Sequence, residues 1–153
     1  KNFGFERMPE FDNSIWRSVK DEAAKKIIPI KRGLISGSDM SQEAVSSSIR
    51  NCSIIDMGKA IDIKTTDIFK IDSLRDMIIM CNPPYGVRAV QRQDMDIFYK
   101  RLGDFLKNRC KGSTAIIYFG ERKYIKSIGL KPSWKKPLLN GGLDGRLVKF
   151  ELY

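Results

Sequence analysis

The segment Met77–Gly86 reads MIIMCNPPYG, and its two halves ask for opposite kinds of backbone. Met77 to Cys81 is continuously apolar, as expected of a central strand covered on both faces. Pro83 and Pro84 lack the N–H that a strand ladder needs and fix an extended course for themselves and for the residue before them. A buried strand that runs directly into Asn82 therefore delivers a polar side chain at its carboxyl end, with rigid backbone setting its direction.

On both sides of this segment helical and strand patterns alternate. Ser14 to Ile28 repeats Ile15, Val19, Ala23 and Ile27 every four positions behind an Asp12 cap, and Pro29 ends the run. Leu34 to Ser38 predicts a short strand. Ser41 to about Met57 predicts a helix with Val45, Ile49 and Cys52 on one face, and Ile61 to Thr65 alternates as a strand. After the prolines, Asp94 to Arg109 predicts a helix with Met95, Phe98, Leu102, Phe105 and Leu106 inward. Thr114 to Phe119 then predicts a buried strand and Glu121 to Ser127 a short helix. Pro132 to Leu139 and Arg146 to Tyr153 suggest a hairpin around Asn140, Gly141 and Gly142. This order implies an α/β fold, a doubly wound and mostly parallel sheet with an antiparallel hairpin at its end. Ligands of such sheets bind beyond the carboxyl ends of the strands. Three of those ends carry polar residues: Asp39, Asp67 and Asn82.

A chain of 153 residues suits one domain. No apolar run approaches the roughly 20 residues that span a bilayer. There is no signal-peptide pattern at Lys1 to Glu10, and the chain does not begin with Met, so it reads as an internal piece of a longer cytoplasmic protein. Cys52, Cys81 and Cys110 form no CxxC pair and there is no histidine, so neither a metal site nor a disulfide framework is suggested. The lack of histidine also removes the Ser/His and Cys/His nucleophile arrangements. The net charge of +10 is unevenly spread: Lys1 to Cys81 holds 13 Lys/Arg against 12 Asp/Glu, and Asn82 to Tyr153 holds 15 against 6. The second half is thus the one suited to face a polyphosphate.

At the strand end, the Asn82 side-chain carbonyl and the Pro83 main-chain carbonyl, aimed at one point, can accept both hydrogens of an amino group. Tyr85 offers a flat face for a base that has left its helix or loop. Asn82–Gly86, NPPYG, with its flanking strand resembles the catalytic motif of the Rossmann-like amino-methyltransferases. These act on the 6-amino group of adenine, the 2-amino group of guanine or the glutamine amide of release factors. The opening FGFERMPEFDNSIW, the GSDMSQEAV around Asp39 and the closing LLNGGLDGRLVKFEL resemble more narrowly the THUMP-associated RNA methylases, often labelled N6-adenine-specific DNA methylases. Better-known members of that family make 2-methylguanine in 23S ribosomal RNA.

The resemblance covers nearly the whole chain and implies S-adenosylmethionine as cofactor. It implies that Asp39 bonds the ribose hydroxyls and that Asp67 meets the adenine amino group, with Ile68 or Phe69 against the ring. Asn82, Pro83, Pro84 and Tyr85 would hold the target base, Asn82 also bordering the cofactor, and Arg88 would be a candidate for a substrate phosphate. The implied substrate is ribosomal RNA at guanine N2. Adenine N6 in DNA is the runner-up, and a basic nucleic-acid-binding fragment without catalysis is the reading from another class.

One departure stands out. The family's Gly-rich cofactor loop should precede the helix at Ser14, and no such loop is present. The chain therefore reads as the C-terminal part of one methyltransferase domain, with the first strand, its glycine loop and the THUMP module upstream of Lys1. That strand would lie between the strand ending at Asp39 and the strand ending at Cys81. The expected outcome is a sheet closed by direct pairing of Leu34 to Ser38 with Met77 to Cys81, or completed by a second copy in a homodimer, with no S-adenosylmethionine bound.

Overall fold

Asp12 starts the first helix, as its position predicts. Its Oδ1 accepts the amide N–H of Ser14 at 2.7 Å and of Ile15 at 3.3 Å, and the Ser14 hydroxyl, which also donates to it, together with these amides holds the carboxyl below its ordinary range. The structure, a computed structural model, describes residues 3–84 and 92–153. It divides into two units, 1–65 and 66–153.

In the first unit, α1 spans Asn13–Lys25, three residues short of the expected Ile28. The amides of Lys26 and Ile27 bond back to Ala23 and Ala24 in a tightened last turn. Pro29 then disfavours a helical Ile28. Of the expected apolar face, Ile15, Val19 and Ile27 are exposed. The side chain that packs is instead Trp16, edge-on to Phe3 and Phe5 at 5.8 and 5.0 Å.

β1, Ser36–Asp39, begins two residues later than expected and runs parallel to β2, Asp62–Thr65, with Asp39 opposite Thr65. Between them α2, Gln42–Ser53, starts at a Ser41 cap whose Oγ accepts the Ala44 amide at 3.2 Å. α2 stops four residues before Met57 for two reasons. Ser53 Oγ donates to the Arg50 carbonyl at 2.7 Å, a local bond that competes with helix continuation. The chain also turns back so tightly that a Cβ on Gly58 would lie 1.8 Å from the Cys52 carbonyl oxygen.

Among the described residues the second unit holds a four-stranded sheet in the order β3-β4-β6-β5. β3 is Ile78–Cys81 and pairs in parallel with β4, Thr114–Phe119. β6, Leu143–Glu151, runs antiparallel to β4 and to the edge strand β5, Trp134–Asn140. The hairpin turns at Gly141 and Gly142, with Gly141 at φ 58°, the left-handed region that two-residue hairpin loops require and glycine enters freely. Both arms lie nearer this turn than the sequence pattern suggests.

α3, Arg92–Arg109, and the short α4, Tyr124–Ser127, cover one face of this sheet. Tyr99, Leu102, Phe105 and Leu106 of α3 join Ala115, Ile117 and Phe119 of β4 and Val148 and Phe150 of β6 in the core. Tyr99 stacks on Phe119 at 5.2 Å and on Tyr124 at 4.9 Å. Ile79 and Cys81 point toward this core, while Ile78 and Met80 alternate outward and are 76% and 72% exposed. The expectation of a β3 covered on both faces is therefore not met among the described residues, because α3 and α4 pack on the Ile79 side.

β1 takes β2 as its partner and β3 takes β4. Direct pairing of the β1 segment with the β3 segment, one of the two expected ways to close the sheet, does not occur among the described residues. No helix among them is long and apolar enough to cross a membrane.

Candidate active site

In the first unit Asp39 sits where the sequence puts it, as the last residue of β1 and exposed. Its Oδ1 accepts the Ser41 amide at 2.8 Å, immediately before the Ser41 cap of α2. The turn-forming role and a ligand-binding role are compatible, since a carboxylate offers two oxygens with about four lone-pair directions. The bond to Ser41 fixes the carboxylate in one orientation.

In the second unit Asp67 caps a single three-ten turn, Ile68–Lys70, its Oδ1 accepting the Phe69 amide at 3.0 Å. Ile68 and Phe69 are both half-buried against the core. The Phe69 ring is engaged on one side by the Arg101 guanidinium, 4.2 Å from its centroid, and by the edge of Phe98 at 5.8 Å. Of the two candidates for contact with an adenine ring, Ile68 is thus the less encumbered.

At the end of β3, Asn82 is exposed, Pro83 is buried and Pro84 is exposed again. A buried proline directly after an exposed asparagine holds the backbone by packing and leaves the Asn82 side chain at the surface. Tyr85 and Arg88 lie outside the described residues. Cys81, one position earlier, is no nucleophile, because burial pushes its thiol up to about 12. Behind it, Tyr99 is fully buried and its hydroxyl has no hydrogen-bond partner among the described residues. Burial, reinforced by Cys81, raises the Tyr99 phenol above its ordinary value.

Sequence reasoning misses the residue that secures the opposite, amino end of β3. Ser113, only 2% exposed, donates through Oγ to the Leu74 carbonyl at 2.8 Å and accepts the Met77 amide at 3.0 Å. It thereby sets where β3 begins. A serine ahead of a strand carries no pattern that announces such a bridge. A surface hollow of about 680 Å³ along α1, bordered by Arg17, Asp21 and Lys25, contains none of the expected site residues.

Comparison with known proteins covers almost the entire chain. Residues 3–149 match the UPF0020 family model, described as an RMKL-like methyltransferase domain. The protein slr0064 of Synechocystis sp., described as an RNA methyltransferase, is 33% identical over 99% of this chain and 40% of its own length. The ribosomal RNA large subunit methyltransferase K/L of Hahella chejuensis is 30% identical over 99% of this chain and 22% of its own. Among solved structures, SMU.472, described as a methyltransferase and solved with SAH, aligns with a TM-score of 0.80 at 23% identity. That alignment covers 100% of this chain and 41% of the other. The chain spans less than half the length of each of these proteins. With the match running from residue 3 to residue 149, the chain belongs to the UPF0020 family of RMKL-like methyltransferase domains.

Proposed function

We propose that this chain serves an S-adenosylmethionine-dependent methyltransferase of the cytoplasm that methylates the 2-amino group of a guanine in ribosomal RNA. The observation that carries the reading is the Asn82–Pro83–Pro84 sequence at the carboxyl end of β3, with Pro83 buried and Asn82 exposed, inside a methyltransferase family match. The RNA substrate is supported by the names of the relatives and by the concentration of positive charge after Asn82.

The residues fit the cofactor by their chemistry. Asp39 is a fixed acceptor for ribose hydroxyls at one strand end, and Asp67 is a fixed acceptor for an adenine amino group ahead of its own turn. The chemistry asked of the cofactor is donation of a methyl group already activated on a sulfonium. Alignment of the acceptor is the protein's part. A base amine is a poor nucleophile because its lone pair is delocalised into the ring. With the Asn82 side-chain carbonyl and the Pro83 carbonyl accepting its two hydrogens, the nitrogen turns pyramidal and its lone pair points along one direction. Positioned acceptors stabilise the charge that develops on that nitrogen, and the in-line arrangement lowers the entropic part of the barrier. Tyr85 would stack on the target base.

Mass analysis of ribosomal RNA from cells lacking the gene tests the assignment. Loss of one methyl group from one guanine is expected. Unaltered ribosomal RNA together with loss of methyladenine from DNA would move the substrate to DNA.

A further inference from the structure

The turn that follows Asp67 is held by one helix. A three-ten turn of three residues, Ile68–Lys70, has poor internal hydrogen-bond geometry and little stability of its own, so its shape depends on what is bonded to it from outside. α3 supplies those bonds at two levels. Arg109 Nη1 donates to the Phe69 carbonyl at 3.2 Å and to the Ile71 carbonyl at 3.0 Å, straddling the end of the turn. The Arg109 main-chain carbonyl in turn accepts the Leu74 amide at 3.0 Å. Two helical turns earlier, the Arg101 guanidinium lies over the Phe69 ring at 4.2 Å, and Phe98 meets the same ring edge-on. The two arginines are eight positions apart on one helix and converge on one residue, Phe69, whose own amide is the donor that fixes Asp67.

We infer that Arg101 and Arg109 are positioning residues for the cofactor, acting through the Asp67–Ile71 turn and touching no ligand themselves. The inference rests on the reading of Asp67 as the acceptor of the cofactor's adenine amino group. A plain surface staple would secure the loop and contribute to folding alone. The placement of both side chains on Phe69 and its carbonyl ties them instead to the orientation of the Asp67 carboxylate. Both guanidinium groups sit on exposed residues, so their removal should leave the core of the second unit intact.

The test is made on the complete purified protein with S-adenosylmethionine binding by calorimetry and methyl transfer at saturating cofactor. Arg109→Met keeps the apolar stem and removes the donors, and it is expected to weaken cofactor binding about tenfold, the size of a missing hydrogen bond to a charged group. The turnover number at saturation should stay within about twofold, since removing an interaction made equally in the ground and transition states raises KM without lowering kcat. Arg109→Lys, which restores a donor, should recover most of the affinity, and Arg101→Gln should repeat the pattern more weakly. Unchanged affinity in both Arg109→Met and Arg101→Gln would overturn the inference, as would a fall in turnover as large as the fall in affinity. Asp67→Ala separates the two levels. If it weakens binding while the arginine variants do not, the arginine inference alone fails. If it leaves binding unchanged, the reading of Asp67 fails.

Discussion

Gly103 in α3 lies directly against the backbone of Ile128 just past α4: a Cβ on Gly103 would stand 1.7 Å from the Ile128 carbonyl oxygen. The usual rule for a mid-helix glycine is therefore reversed here. Alanine normally gains about 1 kcal/mol over glycine in a helix interior. At this site the added methyl has to displace a backbone segment, and overpacking of this kind costs about 1–3 kcal/mol or more. Gly103→Ala should lower the unfolding free energy in urea, and a gain in stability would show that α3 does not touch the Ile128 backbone.

A second stability effect belongs to Ser113, which joins the Leu74 carbonyl to the Met77 amide. Ser113→Ala removes both bonds and leaves the Met77 amide and the Leu74 carbonyl, both only partly buried, without this partner, which costs about 1 kcal/mol. Because β3 starts just beyond Met77, amide exchange along Ile78–Cys81 should quicken in this variant. Exchange there at the parent rate would contradict the bridging role.

The strand end at Asn82 is legible in the sequence because an apolar run followed by two prolines has few other meanings, and the parallel and antiparallel parts follow from helix–strand order and from a Gly-Gly turn. The interactions that hold α3 and the Ile68–Lys70 turn are not legible. Gly103 looks like a weak point in a helix until Ile128 is seen beside it, and Arg109 looks like one more charge in a basic half until its two carbonyl partners are in view. The outward Ile78 and Met80 show the same limit: an apolar run indicates that a strand prefers burial, and the packing of α3 decides which of its faces receives it. The late end expected for α2 fails through Ser53 and Gly58, whose effects depend on where the chain goes next.

Alkaline pH should destabilise the second unit. Cys81 has its thiol raised from 9.0 to about 12 by burial, and burial also raises the Tyr99 phenol. The unfolded chain releases these protons first, so the stability is fully present below pH 9 and is lost as the pH climbs toward 12. The slope is about 1.4 kcal/mol per pH unit for each group that stays protonated in the folded state. Urea midpoints should fall between pH 8 and pH 10.5, and Cys81→Ala should flatten the lower part of that fall. Midpoints independent of pH would contradict the burial of both groups.

The basic half offers a separate test of the polyanion. Lys126 and Lys135 are exposed, whereas Lys123 is paired with Glu121 at 2.8 Å and Lys136 lies over the Trp134 ring at 5.2 Å. Reversing Lys126 and Lys135 to Glu should weaken binding of unrelated RNA sequences alike and flatten the dependence of affinity on salt, by about one unit of slope for each phosphate that is no longer neutralised. An unchanged slope would assign these lysines to solubility.

The central claim, that Asn82 holds the amine which receives the methyl group, is tested most directly by Asn82→Ala in the complete protein. Methyl transfer to RNA and S-adenosylmethionine affinity are measured side by side, with Asp39→Ala as the opposite arm. Removing a positioned transition-state interaction costs about 10²–10³ in rate, so Asn82→Ala should remove nearly all turnover while cofactor affinity stays close to that of the parent. Asp39→Ala should weaken cofactor binding by about tenfold or more. Turnover by Asn82→Ala near the parent rate would contradict the account.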